Sequence, residues 1–281
     1  MNFSKDKLVL KVKDHSVSGE VFELWLDEQF EILVTHPQPS LEKLPSYYES
    51  EDYISHTDGR RTLFEKLYHF IKGIALKKKL NLVNSLSTKG SILDIGAGTG
   101  EFLLTCKNDG WHVTGIEPSE RAKQIAHQKG IGMEESLVNL ADHSFDVITM
   151  WHVLEHVPNL EQQLKELKRL LKPNGVLLVA VPNYKSYDAK VYQEYWAAYD
   201  VPIHLWHFSK NAISKLFALQ SMKLVQVLPM KFDSFYVALL SEKYKNGKMN
   251  FFKAFFTGLR SNWFGNRNKE YSSHIYVLKN E

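Results

Sequence analysis

The chain has 281 residues, enough for one large α/β domain or two modest ones with a buried core. Its 35 Lys and Arg against 32 Asp and Glu give a net charge of +3, too small a surplus to indicate nucleic-acid binding. The single cysteine excludes an internal disulfide, and no apolar run reaches the length of a signal peptide or of a ~20-residue membrane span. These features predict a cytoplasmic protein without a transmembrane segment.

The first 86 residues predict an appendage and a linker. Apolar and polar residues alternate over 8–35, which predicts a β meander in residues 1–36. Prolines in 36–40 predict a stiff boundary, because proline fixes its own φ and extends the preceding residue. Apolar residues spaced by three and four predict an amphipathic helix from 62 to about 82, so 37–86 is interpreted as a helical linker or lid.

From residue 87 to 281, short apolar runs alternate with helical patterns. This alternation predicts parallel β-α-β units with right-handed crossovers, and hence a Rossmann-like, doubly wound α/β domain. Two later apolar segments, 222–229 and 273–279, predict a hairpin-like edge of the same sheet. The other predicted strands are 91–95, 112–117, 131–133, 145–151 and 176–181, and the predicted helices are Glu101–Asn108, Ser119–Gln128 and Leu160–Leu171.

A glycine-rich turn follows the first strand of this domain. Gly96, Gly98 and Gly100 stand where a side chain would keep the backbone away from a ligand, and the next helix offers its N-terminal N–H groups. A dinucleotide site needs G-x-G-x-x-G, but Glu101 occupies the third glycine position and would face a pyrophosphate. The turn therefore disfavours NAD, and Asp94 just before it fits a ligand that carries an ammonium group.

An acidic residue, Glu117, ends the second strand of the domain. It lies about 20 residues after the glycine turn, where a carboxylate in such folds accepts hydrogen bonds from ribose hydroxyls. The alternative is structural, with Glu117 capping the helix that opens at Pro118-Ser119. The spacing from the glycine turn favours a ribose contact.

Four motifs, in chain order, resemble those of the class I S-adenosylmethionine-dependent methyltransferases. They are LDIGAGTG, GIEPS, SFDVITMWHVLEHV and LKRLLKPNGVLLVAVPN, and the match covers roughly residues 88–229. The nearest group acts on small molecules and quinone precursors, as the ubiquinone-type O-methyltransferases do. The resemblance implies seven mostly parallel strands with the last antiparallel, and S-adenosylmethionine bound over the carboxyl ends of the first strands.

The resemblance also implies which residues bind the cofactor. Those of the glycine turn surround the methionine part, and Glu117 contacts the ribose. Glu135 is the candidate for adenine, although a Glu-Glu-Ser stretch replaces the family's commoner Asp-Ala pattern. Tyr53 and His56 lie where related enzymes carry a segment that closes over the cofactor. The full predicted set is Asp94, Gly96, Ala97, Gly98, Gly100, Glu117, Pro118, Glu135, Trp151, His152, Tyr53 and His56.

Three histidines are candidate catalytic residues. Methyl transfer chiefly requires alignment of the acceptor with the methyl group and needs no metal in principle, and a base helps where the acceptor is a hydroxyl. His204 lies in residues 200–209, which resemble the substrate-side loop of this family, and His152 competes with it. His156 either takes part in catalysis or makes a structural hydrogen bond. The closest-looking motifs favour oxygen as the methylated atom.

An alternative interpretation makes the same histidines metal ligands. His152, Glu155 and His156 match H-x-x-E-H, the inverted zinc-protease signature. That site needs a helix presenting both histidines, whereas residues 145–151 predict a buried strand and Pro158 follows closely, so we predict no metal site. A zinc hydrolase and a nucleotide-binding module without catalysis remain the alternative functions. The N-terminal meander resembles the zinc-ribbon appendage of some sugar methyltransferases but has no cysteine, so metal binding does not carry over.

Residues 241–270 form a basic, aromatic insertion between the last two predicted strands. It holds seven Lys or Arg, two acids, and six Phe and Trp side chains that need a partner surface. We interpret it as a lid over the pocket of an apolar or aromatic small-molecule acceptor. A membrane surface contacted through 249–264, nucleic acid, and the second subunit of a homodimer are the alternatives. We expect no nucleic-acid partner and either a monomer or a homodimer.

Overall fold

A computed structural model describes residues 1–48 and 63–281, with the side chains of the second range described from residue 73 onward. Tyr53 and His56, two of the predicted cofactor contacts, lie outside the described residues. No helix of the described part is long and apolar enough to span a membrane.

The N-terminal residues form the predicted antiparallel meander. Its strands are β1 (Lys7–Lys13), β2 (Val21–Asp27) and β3 (Ile32–His36). A short fourth strand, residues 206–207, adds to the free edge of β3, pairing Val34 with Trp206. This long-range pairing joins the meander to the loop that carries His204.

The central sheet has seven strands, as predicted. Through most of the residues that form this sheet, strands alternate with helices along the chain. The strands are β4 (Ser91–Ile95), β5 (His112–Ile116), β6 (Met133–Glu134), β7 (Phe145–Trp151), β8 (Leu171–Pro182), β9 (Trp206–His207, in the N-terminal sheet), β10 (Met222–Pro229) and β11 (Ser273–Asn280). The helices are α1 (Leu63–Leu86), α2 (Glu101–Asn108), α3 (Glu120–Gln128), α4 (Leu160–Leu170), α5 (Tyr187–Tyr192), α6 (Lys210–Ala218), α7 (Asp233–Asn246) and α8 (Phe251–Asn268).

The strand order is β10-β11-β8-β7-β4-β5-β6, and within this sheet β11 runs opposite in direction to the other six strands. β8 is buried from Gly175 to Val181, because helices cover both faces of the sheet, which explains its unbroken apolar run. The order reverses beside β4, whose neighbours β5 and β7 lead away in opposite directions. In open α/β sheets a ligand crevice forms at such a switch point, at the carboxyl ends of the strands.

A second apolar core lies outside the central sheet. It joins buried side chains of the meander, such as Phe22 and Leu24, to Tyr192 and Trp196. Ala238 of α7 and the first turns of α8 close the same core. The predicted insertion 241–270 therefore belongs to a helical hairpin that shares this second core with the N-terminal sheet.

Candidate functional site

A cavity of about 1020 Å³ opens at the carboxyl ends of β4, β5 and β7. This is the place that the strand order indicates for a ligand. Seven of the predicted site residues line it: Gly96, Gly98, Glu117, Pro118, Trp151, His152 and His156. The other described candidates do not line it: Asp94, Ala97, Gly100, Glu135 and His204.

The glycine turn forms one wall of the cavity. Gly96, Gly98 and Gly100 have φ values of 71°, 53° and 73°, a region that residues with a Cβ rarely adopt. A Cβ on Gly96 would lie 2.3 Å from a methyl group of Val153. A Cβ on Gly98 would meet nothing within 4 Å, because its backbone faces the open cavity. Gly96 is thus required by packing, and Gly98 leaves room for a ligand.

Glu117 links this turn to the next helix. Its carboxylate accepts hydrogen bonds from the Gly98 N–H at 2.8 Å and from the Ser119 N–H at 2.9 Å. The helix cap itself is Ser119, whose hydroxyl accepts from the Ala122 N–H. Each oxygen of Glu117 keeps a further lone pair, so the carboxylate can also accept from a ligand in the cavity.

Asp94 lies buried beneath the glycine turn. It accepts a hydrogen bond of 2.5 Å from the Thr149 hydroxyl. Burial raises the pKa of Asp94 to about 7, although Thr149 and the charge of Lys79 lower it. Asp94 therefore supports the turn from below, and its charge responds to a nearby cation.

Glu135, the predicted adenine contact, points away from the cavity. Its side chain is 77% exposed, and its carboxylate lies 2.9 Å from Lys123 Nζ. Lys123 belongs to α3 and also pairs with Glu120, so this ion-pair group holds Glu135 on the outer surface. The structure does not bring Glu135 together with the other predicted cofactor contacts.

His152 follows β7 with a φ of 58° and lies between two carboxylates. Its Nε2 is 3.0 Å from Asp233 Oδ2, and its Nδ1 is 3.5 Å from Glu155 Oε1. Burial lowers the pKa of His152, but the two carboxylates outweigh burial and raise the pKa to about 10. His152 is therefore protonated at neutral pH and is unable to accept a proton from an acceptor.

Replacing His152 with glutamine is expected to lower the free energy of unfolding by about 1–3 kcal/mol at neutral pH. Glu155 is 1% exposed, and its carboxylate has no hydrogen-bond partner within the described part of the chain, so it would lose its counter-charge. Because the folded state raises the pKa of His152, this stabilisation is complete below the unfolded pKa of 6.5 and is lost as pH rises through about 10.

Urea unfolding of both proteins between about pH 6 and pH 10 measures this difference. The gap in stability should shrink as the pH rises. A gap that is constant or grows would show that His152 is not held as a cation.

His156 lines the cavity in a different protonation state. Its Nδ1 lies 3.1 Å from the Ile203 carbonyl oxygen and 3.1 Å from the Tyr48 hydroxyl. A carbonyl oxygen only accepts, so Nδ1 carries the proton and Nε2 keeps a lone pair. Burial lowers the pKa of His156, although Glu155 raises it. His156 is therefore neutral at physiological pH and has the protonation state of a general base.

His204, the favoured catalytic histidine of the sequence analysis, is buried against His156. The two ring centroids are 4.5 Å apart, and His204 Nδ1 donates to the Ala198 carbonyl at 2.9 Å. Burial and the neighbouring His156 hold the pKa of His204 well below its usual value. The structure therefore places His204 as a neutral support for His156.

The zinc signature does not assemble as a zinc protease requires. Residues Leu154–His156 form a single 3-10 turn, and His152 lies outside it in contact with Asp233. The three side chains that do converge are Glu155, His156 and His204, whose ligand atoms lie within 4.8 Å of one another. The two histidines of the signature thus do not share one helical face.

Another wall of the cavity is mostly apolar and comes from the linker after the meander. Leu41, Leu44, Pro45 and Tyr48 face Val157 and other residues of the segment after β7. The sequence analysis interpreted residues 37–86 as a linker or lid that includes Tyr48, but it did not single out Leu41, Leu44 or Pro45. No local motif marks them, because their role depends on how the linker folds back over β7.

The aromatic side chains of the insertion do not line this cavity. Phe251, Phe252, Phe255 and Phe256 are each more than half exposed on α8. Within the described residues, the cavity walls come from residues 41–48, 96–125 and 151–158. These side chains of α8 point to solvent. The structure therefore does not show residues 241–270 as a lid over the acceptor pocket.

Comparison with known proteins identifies what this arrangement resembles. A family model described as a methyltransferase domain matches residues 64–227, more than half of the chain. The ubiquinone biosynthesis O-methyltransferase of Pasteurella multocida is 32% identical over 137 residues, which cover 42% of this chain and 56% of that protein. The enzyme of the same name from Azoarcus sp. is 29% identical over 155 residues, 47% of this chain and 66% of that protein. The chain spans about half the length of the curated relatives it matches.

Solved structures show the same fold at low identity. A SAM-dependent methyltransferase from Archaeoglobus fulgidus is 17% identical with a TM-score of 0.54, covering 79% of this chain and 100% of that chain. Geranyl diphosphate C-methyltransferase from Streptomyces coelicolor A3(2) is 11% identical with a TM-score of 0.56, covering 80% of this chain and 88% of that chain. At these identities the likeness establishes the fold alone.

Proposed function

The chain belongs to the class I S-adenosylmethionine-dependent methyltransferases, and from this membership we propose that it methylates an oxygen atom of a small apolar or aromatic acceptor. The observation that carries the proposal is the cavity in which the glycine turn, Glu117 and the neutral His156 meet. The relatives named for ubiquinone biosynthesis support oxygen as the accepting atom.

The cavity fits the family's cofactor, S-adenosylmethionine. Its volume of about 1020 Å³ is ample for a nucleoside joined to an amino acid together with a small acceptor. The open space at Gly98 and the remaining lone pairs of Glu117 suit a polar ligand that lies against the turn. When bound, the cofactor supplies a methyl group on a sulfonium sulfur. Gly96, Gly98 and Glu117 would hold it, with Trp151 beside them.

The acceptor would occupy the apolar side of the cavity. Leu41, Leu44 and Pro45 on one side and Val157 and Pro158 on the other exclude water from this part and align an apolar molecule. His156 is at the same wall and accepts the proton that an acceptor hydroxyl loses on methylation. The chain therefore orients the acceptor, excludes water from it and supplies one base.

S-adenosylhomocysteine should raise the melting temperature, whereas NAD should leave it unchanged. A ligand at about 100 times its Kd stabilises the state that it binds by about 2.7 kcal/mol, or roughly 5–10 °C for a chain of this size. Glu101 stands at the position of the third glycine of a dinucleotide site, so the turn does not match the pattern that binds a pyrophosphate. Differential scanning fluorimetry with each ligand measures the shift. If NAD alone raised the melting temperature, the assignment of S-adenosylmethionine as the cofactor would be wrong.

A pair of matched acceptors tests the accepting atom. We expect methyl transfer from labelled S-adenosylmethionine to an alkylphenol and not to the alkylaniline of the same chain length. The two compounds share their apolar part, so the comparison isolates oxygen from nitrogen. Transfer to the aniline alone would assign nitrogen as the acceptor atom and leave the cofactor site unaffected.

A further inference from the structure

Helix α8 carries its large apolar side chains on its outside. Phe252 is 82% exposed, and the others are between 43% and 58% exposed. We name these six residues the aromatic face: Phe251, Phe252, Phe255, Phe256, Leu259 and Trp263. They span an arc of about 140° on a helix that turns about 100° per residue. A helix of a globular protein normally buries such an arc, so the aromatic face marks an interaction surface.

The residues on the opposite side of α8 show that packing fixes the outward orientation of the aromatic face. Its buried residues are all small: Ala254, Thr257, Gly258, Ser261 and Gly265. A Cβ on Gly258 would lie 2.6 Å from the ring of Phe235, and one on Gly265 would lie 2.6 Å from the ring of Tyr271. The packing surface leaves no room for Phe or Trp. Rotation of α8 about its axis therefore cannot bury the aromatic face against the rest of the chain.

Positive charge accompanies the aromatic face. Residues 241–270 hold seven Lys or Arg and two acids. Both acids are paired, Glu242 with Lys253 in a buried position and Glu270 with Lys210. The surface around the aromatic face is thus dominated by cations, which attract an anionic partner.

We propose that α8 lies flat on an anionic lipid bilayer, with the aromatic face at the boundary between headgroups and acyl chains. Exposed Phe and Trp on one side of a helix and Lys or Arg around them are the features of an interfacial helix. The basic residues would be attracted to acidic headgroups, and this attraction would weaken as the salt concentration rises. A second copy of this chain fits less well, because a symmetric pairing through the aromatic face brings the same cations together.

Helix α7 packs against α8 and begins at the edge of the cavity. Phe232 and Tyr236, at the start of α7, are also exposed, at 51% and 52%. Between them, Asp233 contacts His152, which lines the cavity. Membrane docking would therefore place the site next to the bilayer. The docking itself requires neither cofactor nor acceptor, so it does not depend on the proposed reaction.

Vesicle flotation of the full chain tests the proposal. We expect the protein to float with phosphatidylcholine vesicles that contain about 30 mol% phosphatidylglycerol, and to float less with phosphatidylcholine alone or at high salt. Replacing Phe252 and Phe256 together with serine should weaken binding at least about tenfold, because it removes two rings from the interface. The matched control is Leu219→Ser, which removes an apolar side chain that is 56% exposed outside α7 and α8.

Unchanged binding of S-adenosylhomocysteine to the Phe252→Ser, Phe256→Ser variant would confirm that the variant is folded. Vesicle binding that is equal in this variant and in Leu219→Ser would overturn the proposal. So would an absence of binding to acidic vesicles. Sedimentation equilibrium supplies one further outcome: a dimer that the variant dissociates, without any vesicle binding, would make the aromatic face a subunit interface and refute lipid docking.

Discussion

Replacing Glu117 with glutamine is expected to weaken S-adenosylhomocysteine binding by about 10- to 100-fold. The carboxylate supports the Gly98 and Ser119 N–H groups and presents its remaining lone pairs to the cavity. Glutamine has the same shape, but it loses the charge that strengthens these hydrogen bonds and keeps only one accepting oxygen. A loss of about 1–3 kcal/mol corresponds to this change in affinity. Isothermal titration calorimetry measures it directly.

Glu135→Gln is the matched control for this experiment. Glu135 was the sequence-based candidate for adenine, but it lies on the surface and pairs with Lys123. Surface ion pairs contribute little, so this variant should bind S-adenosylhomocysteine within about twofold of the original chain. If Glu135→Gln loses affinity and Glu117→Gln keeps it, the ligand does not lie along the turn as we propose.

The elements of the central domain were predictable because each is encoded in a short stretch of sequence. The unbroken apolar run of β8 indicates a strand covered on both faces, and β10 was predicted at its observed bounds, Met222–Pro229. Strand β6 was less well predicted: residues 131–133 were expected, and Met133–Glu134 pair with β5. It is only two residues long, so it has little pattern of its own.

Long-range features had no comparable signal. The pairing of Val34 with Trp206 adds the fourth strand to the N-terminal sheet, but the sequence of neither segment indicates that the two pair. The same limit applied to α8: six aromatic residues indicated a covered surface, and the sequence did not show which side of the helix they occupy. Small residues such as Gly258 proved to be the buried side. Composition alone therefore favoured the acceptor pocket over the solvent-facing orientation.

Within the site, the sequence identified the histidines but not their protonation. His152 is charged because Asp233, far along the chain, lies 3.0 Å from its Nε2. His204 is shielded by the fold, while His156 lies at the cavity wall. A pKa depends on burial and on neighbours brought close by folding. The three histidines are equivalent candidates in the sequence. In the structure His152 is a cation, His204 is a buried support and His156 is a neutral base.

Replacing His156 with glutamine is expected to lower turnover of an alkylphenol by about 10²- to 10⁴-fold, the usual contribution of a positioned base. Affinity for S-adenosylhomocysteine should stay within about twofold, because Glu117 and the glycine turn are untouched. Initial rates at saturating cofactor, with calorimetry alongside, separate the two effects. The control is His112→Gln: His112 begins β5, at the end of the strand opposite the cavity, and its loss should not change turnover.

The pH dependence of turnover then distinguishes His156 from His152. Burial lowers the pKa of His156, so its proton-accepting form already predominates at neutral pH and the rate should be nearly level from about pH 7 to pH 9. The pKa of His152 is raised to about 10, so a reaction that used it as base would accelerate about tenfold per pH unit over the same range. A steep rise that persists in His156→Gln would exclude His156 as the base. A level profile in the original chain, together with a large loss of turnover in that variant, would identify His156 as the base that accepts the proton. His156 is the histidine that is neutral and also lines the cavity.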